Sequence, residues 1–353
     1  MIEVELDRLE FEESEEEARK IKETYFGVNM DKFITSFDEK NETMPTRTIP
    51  LTVQQGKALL HLCRHFKKGT VMENEQDLME LKQVSDNIEK IMKELNENNY
   101  RDGFIVKLTS RSPKDITPNH EKTMKKYREL LETPRFNPNQ FTNVDLKRNA
   151  HWSALYFASL QCLRVYNAQE AISLLSQSSR IEYDLLLDLT FESDFSLGLV
   201  VRPWDANMTL ESEFRGIVYN GELKCLSQYF TQCYLESLEK DKEEIEKHCK
   251  EFFSTTIKPV LQEHAPELTN YIVDFSLTKN EANQFSVKLL EINPYLTTTG
   301  VGLFDWEKDT EPLFENPKSQ FEFRILTEPI ISQLLKDPDS LVKSWRDIIT
   351  QLE

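Results

Sequence analysis

Apolar positions recur at helical spacing through most of the first hundred residues. Leu6, Leu9, Ile21 and Tyr25 make a thin stripe in an otherwise acidic stretch. Leu59, Leu60, Leu62, Cys63 and Phe66 predict a helix over residues 52–66. Leu78, Leu81, Val84, Ile88, Ile91, Met92 and Leu95 predict a second over 75–95. Between the first stripe and these helices, residues 29–47 are polar and turn-rich, and they read as a connector.

The pattern changes at Gly103. Residues 104–108 form a short apolar strand interrupted by Lys107, and a polar segment follows over 109–118. Helical spacing returns over 120–131, 144–163 and 168–187. Strands are then expected over 195–204, around Arg202, and over 213–219. Asn220-Gly221 is a strong hairpin signal leading into a strand over 223–229. A charged helix over 235–260 precedes two strands, 270–277 and 284–293, joined by a polar loop. After a loop holding Gly300 and Gly302, helices are expected around 321–335 and 341–352. The sum is an α+β fold with mostly antiparallel strands.

Composition narrows the function classes. The 353 residues are 39% hydrophobic and 10% aromatic, enough for a substantial core. With 43 basic and 61 acidic side chains the net charge is -18, which argues against nucleic acid or anionic membrane as partners. A local basic pocket could still hold a nucleotide. No apolar run reaches the roughly 20 residues a bilayer span needs. Residues 1–17 are acidic, the reverse of a leader peptide. Five scattered cysteines, an odd number, suit free thiols in a reducing compartment. The expectation is a soluble cytoplasmic protein.

Candidate chemistry gathers in the strands. Alternation sets Phe285, Val287, Leu289, Glu291 and Asn293 on one face, so apolar residues give way to a carboxylate and an amide. Asp274 interrupts the apolar run 271–275. If these strands pair as a hairpin, three oxygen ligands converge, a set that suits magnesium held partly by phosphates. The alternative is a plain strand-end turn at Asn293-Pro294 with Glu291 solvated. Lys107 and Arg202 sit within apolar strands, and a buried cation is costly unless it meets an anion. Arg215 shares a strand face with Glu213. Structural ion pairs could satisfy each cation singly. Three on separate strands, with a carboxylate and amide elsewhere, favour a nucleotide phosphate among them. Arg111 and Lys114 add donors on a mobile loop that lacks the glycines of a phosphate-wrapping loop. His61 and His65 stand one helical turn apart but have no evident third zinc ligand. Cys225 and Cys233 have no paired base for nucleophilic work.

Several of these pieces occur in a particular order. The lysine strand is followed by Ser112-Pro113-Lys114-Asp115, Ser178-Ser179-Arg180, the segment 199–204 and Glu213-Phe214-Arg215. Then come 226–229, 271–274, Glu291-Ile292-Asn293-Pro294 and Leu303-Phe304-Asp305-Trp306. Over roughly residues 100–310 this series resembles the cell division cycle protein 123 family. The resemblance implies an ATP-grasp fold, two subdomains clasping ATP and Mg2+. It divides the chain into a helical region 1–100, an N-subdomain 101–205 with a helical insertion at about 117–149, and a C-subdomain 206–353. By matching position, Lys107 would contact phosphates, with Arg111 and Lys114 nearby. The strand holding Val201, Arg202 and Trp204 would border the adenine. Glu213 and Arg215 would lie near the phosphates, and Asp274, Glu291 and Asn293 would ligate Mg2+. Glu291 stands where the family usually has aspartate. The implied role is assembly of translation initiation factor 2 through its gamma subunit. A rival is an ATP-dependent carboxylate–amine or carboxylate–thiol ligase working through an acyl phosphate. Two departures from the family are visible: the first hundred residues carry little of its entry sequence, and the insertion separates the lysine strand from the next shared segment.

Overall fold

The computed structural model describes residues 15–280, 282, 284–337 and 342–350. Leu6 and Leu9 of the acidic stripe lie outside them, as do both ends of the last expected helix.

The strands form two sheets. β1 (Arg47–Pro50), β2 (Phe104–Leu108) and β3 (Gly198–Pro203) make an antiparallel sheet in the order β1-β3-β2. β4 (Glu213–Tyr219), β5 (Glu222–Gln228), β6 (Tyr271–Lys279), β7 (Phe285–Pro294) and β8 (Glu322–Arg324) make the second, in the order β7-β6-β4-β5-β8. Among these eight strands of the described residues, the β5–β8 pair is parallel and the other pairs are antiparallel. The hairpin between β4 and β5 turns where expected, with Asn220 and Gly221 both at positive φ, 51° and 71°.

Each sheet has its own core. Helices Val53–Lys68, Glu75–Glu97, Ala168–Gln177 and Ser179–Leu189 bury their apolar faces with Val106, Leu108, Leu199 and Val201 of the smaller sheet. The first of them opens with a capping box, Thr52 and Gln55 exchanging side-chain bonds with each other's backbone. The larger sheet buries Phe214, Phe275, Leu277 and Leu289 against Val144–Cys162 and Glu236–Phe252. Of the charged residues expected to cover the latter helix, Lys240, Lys247 and Lys250 pair with glutamates three or four positions earlier.

Four sequence expectations need correction. Residues 29–47 are a packed element, not a bare connector: Met30, Phe33, Ile34 and Phe37 are buried, and the segment delivers β1. The region 1–100, expected to be helical, also holds a strand, because β1 pairs with β3, and both early helices share the core of the smaller sheet. The helix expected over 168–187 breaks at Ser178, whose hydroxyl accepts from the Ile181 N–H and starts a new helix. The stretch 321–335 supplies β8 and only a short helix, Ile331–Leu334, because Phe323 is pulled into the sheet's core.

One buried histidine gives a pH test of this core. His151 is 7% exposed, and its Nδ1 meets the Tyr127 hydroxyl at 2.7 Å. Burial lowers its pKa from the ordinary value. The unfolded chain therefore takes up this proton first as pH falls, so the stabilisation present above the ordinary histidine pKa is lost as pH drops through the folded one. The urea midpoint should fall further between pH 7.5 and 5 in the wild type than in His151→Gln. An equal fall in both would refute the assignment.

Candidate functional site

The two sheets face each other across a cleft, and the register of the larger one builds its floor. Arg215 on β4, Asp274 on β6 and Glu291 on β7 are direct cross-strand partners, so their side chains share one face. The alternation expected along β7 does not hold throughout. Asp274 pairs with Glu291 but Phe275 pairs with Leu289, so Leu290 is an extra, unpaired residue. This bulge reverses the faces. Phe285, Val287 and Leu289 turn into the core with Phe275 and Leu277, whereas Glu291 and Asn293 face the cleft.

A bulge frees a carbonyl that needs a donor. Arg202 supplies it: its Nη1 donates to the Leu290 carbonyl at 2.7 Å, its Nε to Thr46 Oγ1 at 2.8 Å and its Nη2 to Thr43 Oγ1 at 3.3 Å. Thr43 itself donates to the Leu289 carbonyl at 2.7 Å. Arg202 thus ties the smaller sheet to the larger through neutral acceptors, not through an acid. Burial brings its pKa down to about 10, with Glu291 and Asp38 opposing.

The other cations expected in strands do meet carboxylates. Lys107, 6% exposed, reaches across the cleft from β2 to Glu291. Arg215 grips Asp274 with two parallel bonds, Nε to Oδ1 at 2.8 Å and Nη2 to Oδ2 at 2.7 Å. Asn293 donates to Asp274 Oδ2 at 2.9 Å. Burial pushes Glu291 up, but Lys107 and Lys114 outweigh it and hold the carboxyl below its usual range. Burial also raises Glu213, to about 7, with Lys114 opposing and Asp274 adding to the rise. Burial pushes Lys114 down, but Tyr229, Glu213 and Glu291 more than offset it.

Two adjoining cavities occupy the cleft, of about 160 and 190 Å³. Together they reach the low end of the ~300–1,000 Å³ common for small-molecule sites. The first is walled by Ile105, Leu163, Trp204, Met208 and Leu290 and ends at Lys107, Lys114 and Glu291. The second is polar and continues past Lys114 and Glu291 to Arg215, Asn293, Gly300 and Arg180. Six basic side chains line the two cavities (Lys107, Arg111, Lys114, Arg180, Arg202, Arg215) against three acidic ones (Asp205, Glu213, Glu291). In a chain of net charge -18, that local excess favours an anion.

Of the residues singled out from sequence, Lys107, Lys114, Arg202, Trp204, Glu213, Arg215, Glu291 and Asn293 line the cleft. Asp274 is behind them, 1% exposed beneath Arg215. Val201 has its side chain fully buried on the core side of β3, opposite in facing to its neighbour Arg202. Arg111 lines the second cavity but is held by Asp184. Its loop is pinned rather than mobile. Ser110 donates to Asp184 at 2.6 Å, and Asp115 accepts from Ser178 Oγ at 2.5 Å and from the Ser179 N–H at 2.9 Å.

Tyr229 was missed. Its ring lies under both Lys114, at 4.9 Å, and Arg215, at 4.8 Å, and its hydroxyl meets Lys114 Nζ at 3.0 Å. Two cations held on one ring are not visible in a lone tyrosine at a strand end. Elsewhere, His61 and His65 bond Asp77 and Thr70, and among the described residues no three His, Cys, Asp or Glu side chains cluster for a metal. All five cysteines are buried free thiols. No helix among the described residues is long and apolar enough to cross a membrane.

Comparison with known proteins returns consistent matches. The D123 family model matches residues 139–344. A Xenopus laevis protein described as a translation initiation factor eIF2 assembly protein is 28% identical over 181 residues, covering 50% of this chain and 49% of that one. The chain thus matches about half the length of that curated relative. Cdc123 from Schizosaccharomyces pombe superposes with a TM-score of 0.53 at 19% identity, covering 86% of this chain and 97% of that one. A C-terminally truncated form of it gives 0.55 at 18% identity, with 86% and 98% covered.

Proposed function

This chain belongs to the D123 family, and on that premise we propose that it binds Mg-ATP in an ATP-grasp cleft and serves the assembly of translation initiation factor 2 by engaging its gamma subunit. The family is the one that the ordered sequence motifs resemble. The observation that carries the nucleotide reading is the two-part cleft, an apolar compartment that opens into a cationic one floored by carboxylates. Trp204, Ile105, Leu163 and Met208 would bury the base. Lys107, Lys114 and Arg215 would take the phosphates.

The donor set fits magnesium. Asp274 and Glu291 are cross-strand partners with the Asn293 amide beside them, and Mg2+ is commonly held by one or two carboxylates with phosphates completing its shell. When bound, the metal would supply charge neutralisation on the phosphate oxygens. The cations and the carboxylates now neutralise one another, Lys107 with Glu291 and Arg215 with Asp274. Binding is therefore an exchange of partners: the cations turn to phosphate while the carboxylates turn to the metal. The description of the Xenopus relative supports the assembly role. The buried free cysteines suit a cytoplasmic setting.

Mg-ATP at a hundredfold excess over its Kd should stabilise the folded chain by about 2.7 kcal/mol, read as a rise in melting temperature. Immobilised protein should retain the gamma subunit from a purified mixture of initiation factor 2 subunits. Absence of a thermal shift would sink the nucleotide reading. ATP turnover that depends on a small carboxylate acceptor would replace the assembly role with a ligase.

A further inference from the structure

Every cation on the cleft's cationic side but one is already engaged. Lys107 pairs with Glu291, Arg215 with Asp274 and Arg111 with Asp184, and Lys114 bonds the Tyr229 hydroxyl. Arg180 is the exception. Its side chain is exposed and makes no ion pair or hydrogen bond among the described residues, yet it lines the second cavity.

Its position along the cleft is defined. Ser112, Lys114 and Glu291 border both cavities and so mark their junction. Trp204 and Met208 border only the apolar one, and Arg180 borders only the polar one. A nucleotide with its base in the apolar cavity would run its phosphates past Lys114, and the last phosphate would travel furthest toward Arg180. The backbone there is fixed as well. Asp115 accepts from the Ser179 and Arg180 N–H groups, at 2.9 and 3.4 Å, and the helix Ser179–Leu189 carries Asp184, which holds Arg111.

We propose that Arg180 reads the terminal phosphate and makes the cleft prefer a nucleoside triphosphate over the diphosphate. This rests on the nucleotide reading of the cleft and adds the group that sets phosphate-chain length. A guanidinium suits the task because its planar fork binds two oxygens of one phosphate. Since it has no existing partner, it can do so without breaking an ion pair. Lys107, Arg111 and Arg215 must each give one up, Lys114 must leave the Tyr229 hydroxyl, and these groups would contact the inner phosphates of either nucleotide.

The test is isothermal titration of the full chain with Mg-ATP and with Mg-ADP, for the wild type, Arg180→Ala and Arg180→Lys. Arg180→Ala should weaken Mg-ATP about tenfold and leave Mg-ADP within twofold, while Arg180→Lys should recover part of the preference. The residue is exposed, so its replacement should leave the melting temperature unchanged. Equal losses for both nucleotides, or no loss for either, would overturn the role of Arg180 alone. A wild type that binds neither nucleotide would overturn the nucleotide reading and this inference with it. If Arg180 instead receives a carboxylate of a protein partner, the nucleotide affinities will be untouched and capture of the partner will fall, which also overturns the proposal.

Discussion

Asp274→Ala is expected to abolish the thermal shift with Mg-ATP and to destabilise the folded chain by about 3–5 kcal/mol, the usual cost of removing one partner from a buried ion pair. Asp274 is 1% exposed, and it balances a guanidinium whose side chain is only 12% exposed. Without it Arg215 keeps one outside acceptor, the Gly300 carbonyl at 2.7 Å, and the Tyr229 ring beneath it. The two effects can be separated. Removing both charges, as in Arg215→Met with Asp274→Val, should restore most of the stability, because an apolar pair of similar volume can replace a buried ion pair at little net cost. It should not restore the Mg-ATP shift, since the proposed metal ligand and the proposed phosphate donor are both gone. Chemical denaturation with and without Mg-ATP reads both quantities. A double variant that regains its nucleotide shift would contradict the metal assignment of Asp274.

The sequence was informative where one residue answers to one local rule. The hairpin at Asn220-Gly221 needs positive φ, and those residue types supply it. The lysine strand and both early helices follow from spacing, and they appear close to their expected bounds. The expectation that a buried cation meets an anion held for Lys107 and Arg215 but not for Arg202, which is met by neutral oxygens. What it could not supply was the acceptor's identity. Arg202 bonds a carbonyl and two hydroxyls because an extra residue at Leu290 leaves that carbonyl unpaired, and a bulge has no signature in the run Val287-Lys288-Leu289-Leu290-Glu291. The same bulge explains why parity failed along β7, since alternation predicts faces only while the ladder stays in register. β1 was hidden for a different reason. Four residues ending in proline carry too little pattern, and the strand exists because β3 offers it an edge. Tyr229 takes its place in the cleft from neighbours distant in sequence, which periodicity does not report.

Arg202 also gives the second large effect, and its three bonds decide between two roles for it. As a cation lying beside the nucleotide, it should tolerate lysine, which keeps the charge. As the tie between sheets, it should not. A lysine ammonium cannot span Thr43, Thr46 and the Leu290 carbonyl in the fixed fork that a guanidinium provides. Arg202 is 8% exposed, and hydrogen bonds from charged donors contribute about 1.5–3 kcal/mol each, less when several act as a unit. Arg202→Met should therefore cost on the order of 3 kcal/mol, and Arg202→Lys most of that, both measured as lowered urea midpoints. Because Leu290 is adjacent to Glu291, loosening the bulge should also misplace that carboxylate and weaken Mg-ATP about tenfold in either variant. If Arg202→Lys keeps wild-type stability and nucleotide affinity, charge alone is what this position requires. The cleft would then be held together by the Lys107–Glu291 pair, and the geometry of the proposed metal ligands would not depend on the carbonyl that the bulge leaves free.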